Sequence, residues 1–277
     1  RQKRVLKRLR SQNPVIPENI KTNETYSFHN CLYEEYMNFF SAFATVGFYT
    51  MTSRLLGFIR DILIAAILGA SPVADCFFVA FKLPNFFRRL FAEGAFNAGF
   101  IPLFSKILEV RGRAKAIKFA EQTLSILLIS LFCFIVTMQI LMPWTMLALA
   151  PGFIDEPEKF DLAVVFTRLT FPYLLFISLV SLLGGILNSF SRFAAVAATP
   201  IFLNICLITA AVFFDTVFPT PGHAFAWAIP IAGIIQLIWL LLACGREGFY
   251  LRLLRPRITP DIKKLLKLIL PAALGAG

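Results

Sequence analysis

Residues 53–104 read SRLLGFIRDILIAAILGASPVADCFFVAFKLPNFFRRLFAEGAFNAGFIPLF. Two long apolar runs meet at Gly69-Ala70-Ser71-Pro72, and both enclose charged side chains among Leu, Ile and Phe. A helix needs about 20 apolar residues to cross the bilayer core. Outward from this stretch the pattern repeats: runs at 38–68, 73–104, 119–142, 162–187, 195–214 and 224–244 qualify, and a seventh begins near residue 265. Of the 277 residues 58% are hydrophobic and 16% charged, where an ordinary soluble domain carries about 25% charged. With 31 Phe, the chain holds more apolar surface than one soluble core of this length can enclose. That excludes a soluble enzyme, a disordered chain and a disulfide-stapled fold. The expected fold is all-α and polytopic: six complete transmembrane helices over 37–244 and the start of a seventh over 265–277.

The gaps between runs sort by charge. Residues 69–75 hold no Lys or Arg, whereas the next gap carries Lys106, Arg111, Arg113, Lys115 and Lys118. The 143–161 loop is acidic, with Asp155, Glu156, Glu158 and Asp161; 188–194 has Arg192, and 215–223 has no basic residue. The 245–264 connector is basic again, with Arg246, Arg252, Arg255, Arg257, Lys263 and Lys264. Loops rich in Lys and Arg stay in the cytoplasm, so the N-terminus is expected inside. The net charge of +11 is then a mark of topology, not of nucleic acid. Pro256 and Pro260 punctuate the connector, and Asp261 to Lys267 is expected to lie along the membrane surface.

Residues 1–36 form a polar, basic leader that reads equally as a cytoplasmic tail or as residues upstream of a start at Met37. The apolar run from Leu265 to Gly277 is expected to continue, so the chain reads as a fragment cut within a span.

The first two runs break the rule that spans are uncharged. Run one carries Arg54, Arg60 and Asp61; run two carries Lys82, Arg88, Arg89 and Glu93. Each costs about 2.5–3.5 kcal/mol at the bilayer centre, so they must face a wet cavity or one another. Gly57 and Pro84, with Gly94 and Gly99, are the expected bend points. In antiparallel register Arg54 lies level with Arg88, and Arg60 with Lys82 about 9 Å further out. The seven together are three charges positive. Guanidinium forks match phosphate oxygens, so an anionic headgroup, phosphate or pyrophosphate, is the expected ligand. Asp61 paired with Arg60 or Lys82, and Glu93 paired with Arg89, are the structural alternatives. Another alternative makes Phe86 to Phe96 an interfacial amphipathic helix.

Arg168 either faces the cavity or pairs with Asp161, and His223 reads as a solvated turn residue. Phe77, Phe78, Phe81, Phe86, Phe87 and Phe91 read as lipid-facing packing or as a wall for an acyl chain. The cysteines have no metal-ligand spacing, and no nucleophile arrangement or phosphate-binding loop suggests catalysis.

The stretch 53–104 resembles the signature of the MurJ (MviN) lipid II flippases. The likeness lies in Ser-Arg-x-x-Gly-Phe-x-Arg-Asp, then Ala-Asp-x-Phe, then Phe-Lys-x-Pro-Asn-x-x-Arg-Arg-x-Phe-Ala-Glu-Gly-Ala-Phe. APGF at 150–153, TFPYLLFISLVSLLGGILN at 170–188 and FLNI at 202–205 are also similar to the family. The resemblance implies the N-terminal lobe of a fourteen-helix exporter fold in the multidrug/oligosaccharidyl-lipid/polysaccharide exporter superfamily. It implies a central cationic cavity, with Arg54, Arg60, Arg88 and Arg89 binding pyrophosphate. Asp61, Asp75, Lys82, Glu93, Gly57 and Pro84 support or gate it. The expected activity is flipping of lipid II, the lipid-linked peptidoglycan precursor, from the cytoplasmic to the periplasmic leaflet of the bacterial inner membrane. The mechanism implied is alternating access for cell-wall synthesis, without catalysis or cofactor, and with coupling to the membrane potential. The expected partners are lipid II and membrane lipids. A drug/cation antiporter of the same superfamily, which would carry an acidic cavity, and a non-transporting scaffold of cell-wall assembly are the alternatives.

Overall fold

The computed structural model describes residues 22–88, 96–214 and 217–276, with side chains described from residue 43 on except at 270 and 272–276. The helices are α1 (Thr22–Leu68), α2 (Pro72–Phe87), α3 (Phe96–Arg111), α4 (Arg113–Leu149), α5 (Pro157–Thr170), α6 (Tyr173–Ser189), α7 (Phe193–Ala197), α8 (Thr199–Phe213), α9 (Pro221–Arg246) and α10 (Pro260–Ala276). Among the described residues there is no strand. Arg1–Thr45 and Val46–Gly277 separate as two compact units, and the helical bundle belongs to the second.

Among the described residues four helical stretches are long and apolar enough to cross a membrane: Arg113–Leu149, Pro157–Ser189, Phe193–Phe213 and Pro221–Arg246. The two most highly charged of the expected runs are not among them. α1 carries Arg54, Arg60 and Asp61 in its apolar part. The 73–104 run does not form one described helix: α2 and α3 have 16 residues each. Residues 89–95 between them, with Arg89, Phe91, Glu93 and Gly94, lie outside the described residues.

Local chemistry sets the joints. Gly69 takes a φ of +57°, which favours glycine, and ends α1. Ser71 then caps α2, its hydroxyl accepting from the Ala74 amide at 3.2 Å, and Pro72 fills the first helical position. Helix α2 runs on through Pro84 and α1 through Gly57, so neither expected bend is a break. Proline has no N–H, and the carbonyl four residues earlier loses its partner. Pro84 frees the carbonyl of Ala80, and the buried Thr170 hydroxyl of α5 is shared between it at 3.3 Å and the Thr167 carbonyl at 3.2 Å. That bond helps seat α2 on α5.

Helix α6 is the most enclosed, packing against α3, α4 and α9, while α9 also packs on α8. Aromatic rings fill the core: Phe77, Phe100, Phe104, Phe166, Phe171 and Phe225 are all fully buried. Phe77 is therefore neither lipid-facing nor cavity wall; it lies 5.5 Å from the Phe225 ring and 5.9 Å from Phe81. Phe78 and Phe86 are exposed, and Phe81 and Phe87 are partly buried against the core. α9 begins in close contact, where a Cβ on Gly222 would fall 2.5 Å from the Phe166 ring.

Between α9 and α10, residues 249–259 have no regular structure, yet side chains of α4 bind them. Glu121 accepts from the Arg252 amide and Ser125 from the Leu254 amide, each at 3.0 Å. Thr259 donates to Gln122 at 3.2 Å. Arg113 stacks over Phe249 at 4.3 Å, and Arg111 pairs with Asp261 at 2.8 Å. Helix α10 starts at Pro260 and includes both the stretch expected along the membrane surface and the run expected from 265. Its buried Ile262 and Leu265 turn inward, and the helix packs against α3 and α4.

Candidate functional site

Ser53, Gly57, Arg60 and Ile64 follow one another at helical spacing and form the packed face of α1. Asn204 of α8, 4% exposed, is set into this face. Its amide donates to the Ser53 carbonyl at 2.9 Å, and its Oδ1 accepts from Arg60 Nη1 at 2.8 Å. Gly57 leaves room for it, since a Cβ there would lie 3.7 Å from Asn204 Nδ2. The other edge of the Arg60 fork donates Nε and Nη2 to one oxygen of Asp61, at 2.9 and 2.7 Å. Of the expected partners of Asp61, Arg60 is the one it meets. This guanidinium is compensated and held on both edges, so it is not a bare cation.

Arg54 is exposed on the adjoining face of α1, seven residues from Asp61 and so nearly two turns away. On α2, Asp75, Phe78, Lys82 and Phe86 form an exposed stripe at spacings of three and four. Among the described residues, Arg54 and Lys82 make no hydrogen bond or ion pair. Arg88 is half-buried at the end of α2, where its Nε donates to Asn85 Oδ1 at 3.3 Å. Its charge also acts on the buried Tyr173 hydroxyl, which donates to Gln236.

By helical rise from the Gly69–Ser71 turn, Arg60 and Lys82 lie at about 12 and 15 Å, and Arg54 and Arg88 at about 21 and 24 Å. Along their lengths, however, α1 and α2 do not pack on one another. Arg54, Arg60, Lys82 and Arg88 are thus carried on two helices joined at the Gly69–Ser71 turn. Arg89 and Glu93 lie outside the described residues, and with them the expected pair.

Asp75 is set apart from the arginines, in the first turn of α2, with its carboxylate 3.0 Å from Lys159 Nζ on α5. Lys159 also lies 3.7 Å from Glu156 and 4.5 Å from the Phe153 ring. The sequence reading missed this lysine because it sits within a loop that is otherwise acidic. It gave Asn204 no role, although FLNI at 202–205 contains it and an amide in an apolar run needs partners. Arg168 does not meet Asp161; its Nε donates to the Gln139 carbonyl at 3.3 Å. His223 is not a solvated turn residue: it lies in the first turn of α9, 2.9 Å from Thr220 Oγ1 and edge-on to Phe166.

The described residues form an all-helical bundle with four helical stretches apolar enough to cross a membrane, which is the architecture of a polytopic membrane protein. Its fold is similar to "Lipid II flippase MurJ, inward closed conformation", with a TM-score of 0.62 at 22% identity over 83% of this chain and 47% of that one. It is also similar to an outward-facing multidrug resistance MATE transporter of the MOP superfamily, with a TM-score of 0.65 at 17% identity over 85% and 52%.

The sequence profile of the lipid II flippase MurJ family matches residues 64–277. A probable lipid II flippase MurJ of Rhizobium tropici is 42% identical over 87% of this chain, and one of Rhizobium meliloti is 44% identical over 87%. The Burkholderia cenocepacia lipid II flippase MurJ is 35% identical over 87%. The chain belongs to the lipid II flippase MurJ family. It spans about half the length of these relatives, 46% of the two rhizobial proteins.

Proposed function

We propose that this chain supplies the first lobe of a lipid II flippase. The whole protein carries the lipid-linked peptidoglycan precursor from the cytoplasmic to the periplasmic leaflet by alternating access. In this reading α1, α2 with α3, α4, α5 with α6, α7 with α8, and α9 are six spans, and α10 leads into a seventh. The basic loops put the N-terminus in the cytoplasm.

The observation that carries the reading is the pair of exposed charges, Arg54 and Lys82, which among the described residues have no ion-pair partner. A charge at that depth needs water or an anion beside it. Arg54, Lys82, Arg88 and Arg89 then receive the pyrophosphate. Arg60 is held by Asn204 and Asp61 and supports the site from the packed face of α1. The polyprenyl tail stays in lipid. Moving the anionic headgroup outward couples to an inside-negative potential at about 2.3 kcal/mol per charge per 100 mV.

The test is complementation by the full-length protein in cells depleted of their own flippase, with a leaflet-resolved assay of lipid II. Arg54→Ala and Arg88→Ala each abolish flipping and growth at normal abundance in the membrane. Normal flipping by both variants overturns the assignment. A protein that supports growth without moving lipid II is a scaffold.

A further inference from the structure

We propose that Asp75 acts through Lys159, and that the two form an ion-pair latch setting the outer end of α2 and, through it, Lys82 and Arg88. The inference rests on the transport reading above and gives Asp75 a positioning role in place of contact with the cargo.

Two successive residues of α2 grip one residue of α5. The Asp75 carboxylate meets Lys159 Nζ at 3.0 Å, and the Cys76 thiol donates to the Lys159 carbonyl at 3.2 Å. The Lys159 side chain is only 14% exposed. It is walled by the Phe153 ring and has Glu156 as a second acceptor at 3.7 Å. The stem of Lys159 is covered while both carboxylates are exposed, so the ammonium is held by two acceptors and an aromatic face at the surface of the lobe.

The alternative, Asp75 touching the cargo, conflicts with charge. A carboxylate repels a pyrophosphate. Asp75 is seven residues from Lys82 and thirteen from Arg88, about 10 and 20 Å by helical rise. An acid at that distance serves a cationic site by fixing the helix that carries it. Position agrees, because an acid in the first turn of α2 also suits the helix dipole. Charge on the outer turn of α2 is thereby used up within the lobe, and Lys82 further along the stripe stays exposed and uncompensated among the described residues.

The experiment uses the full-length protein in depleted cells. Asp75→Asn and Lys159→Gln each lose growth support, Lys159→Arg keeps it, and the exchange Asp75→Lys with Lys159→Asp restores part of it. The exchange reverses the ends of the pair and keeps the attraction between positions 75 and 159, while the acid at 159 now stands beside Glu156, so growth returns in part. In the purified protein, thermal midpoints of the two single neutral variants and their double are compared. Under a latch the double loses no more than either single. An active Lys159→Gln beside a dead Asp75→Asn, or strictly additive midpoint losses, overturns the latch. Arg88→Ala run in parallel separates the two readings. If it flips normally, the cargo role of Arg88 falls while the latch is judged on the Asp75 and Lys159 variants and their midpoints.

Discussion

Gln139 and Arg168 each bond to the backbone of the other across α4 and α5. Gln139 Nε2 donates to the Arg168 carbonyl at 2.8 Å, and Arg168 Nε donates to the Gln139 carbonyl at 3.3 Å. Both carbonyls are free for the same reason: Pro143 and Pro172 stand four residues further on and have no N–H to give. In hydrocarbon such a carbonyl has no water to turn to. Each helix is broken chemically at a point where its neighbour supplies the missing donor.

The rule gives a specific rescue. Gln139→Leu and Arg168→Met each strand one carbonyl and lower stability by about 1–3 kcal/mol. Adding Pro143→Ala returns an N–H to the carbonyl of residue 139, so it offsets Arg168→Met. It does not offset Gln139→Leu, whose stranded carbonyl depends on Pro172. Thermal unfolding of the full-length protein in detergent reads both. Equal rescue of the two variants by Pro143→Ala contradicts the pairing.

Asn204 is expected to matter for activity as much as the charged residues around it. Asn204→Ala removes the acceptor from Arg60 Nη1 and leaves the guanidinium held by Asp61 alone. The stability loss is about 1–3 kcal/mol, the range for a buried polar group left without its partner. Arg60→Lys is as damaging to transport as Arg60→Ala, because an ammonium cannot serve Asn204 and Asp61 with two fixed edges. Complementation with matched membrane abundance distinguishes the variants. Wild-type growth with Asn204→Ala removes this residue from the site.

Two glycines in the bundle should respond in opposite ways. A methyl at Gly222 meets Phe166 at 2.5 Å and Val73 at 2.7 Å, so Gly222→Ala must push apart α2, α5 and α9. Overpacking of this kind costs about 1–3 kcal/mol. At Gly57 the same methyl makes an ordinary 3.7 Å contact with Asn204. Gly57→Ala therefore unfolds within a few degrees of wild type, while Gly222→Ala melts well below it. The reverse order in a thermal scan contradicts the packing described.

How much of this was visible in the sequence differs residue by residue. The helical class and the charged stretch between Arg54 and Glu93 follow from hydropathy, because a membrane leaves the backbone few options. The Arg60–Asp61 pair was legible as a local alternative. Asn204 and Lys159 were not, since their partners lie on helices distant in the chain and no local pattern specifies which helices become neighbours. Prolines carried an unused signal. Pro84, Pro143 and Pro172 marked the carbonyls of Ala80, Gln139 and Arg168 as needing donors, but only the packing shows that Thr170, Arg168 and Gln139 supply them. Phe77 was misplaced because a phenylalanine facing lipid and one facing the core look alike in a uniformly apolar helix.

The connector between α9 and α10 is irregular in backbone but should exchange slowly. Glu121 and Ser125 lie one turn apart on α4 and accept from the amides of Arg252 and Leu254, two residues apart in the extended segment. Both acceptors are buried, so these amides meet protein in place of water. Gln122, on the same face, accepts from Thr259, whose own hydroxyl accepts from the Ile262 amide at the start of α10. The strap thereby fixes where α10 begins. In hydrogen exchange on the full-length protein, the amides of Arg252 and Leu254 are expected to be protected beyond their exposed neighbours. Ser125→Ala removes one acceptor of about 1 kcal/mol and should speed exchange at Leu254 roughly fivefold. Glu121→Gln keeps a carbonyl oxygen in place and changes Arg252 little, whereas Glu121→Leu frees it. Because the strap depends on buried acceptors more than on its surface ion pair, raising the salt concentration leaves the protection largely intact. Fast exchange across 249–259 in the wild-type protein contradicts the clamp and makes the segment a free linker.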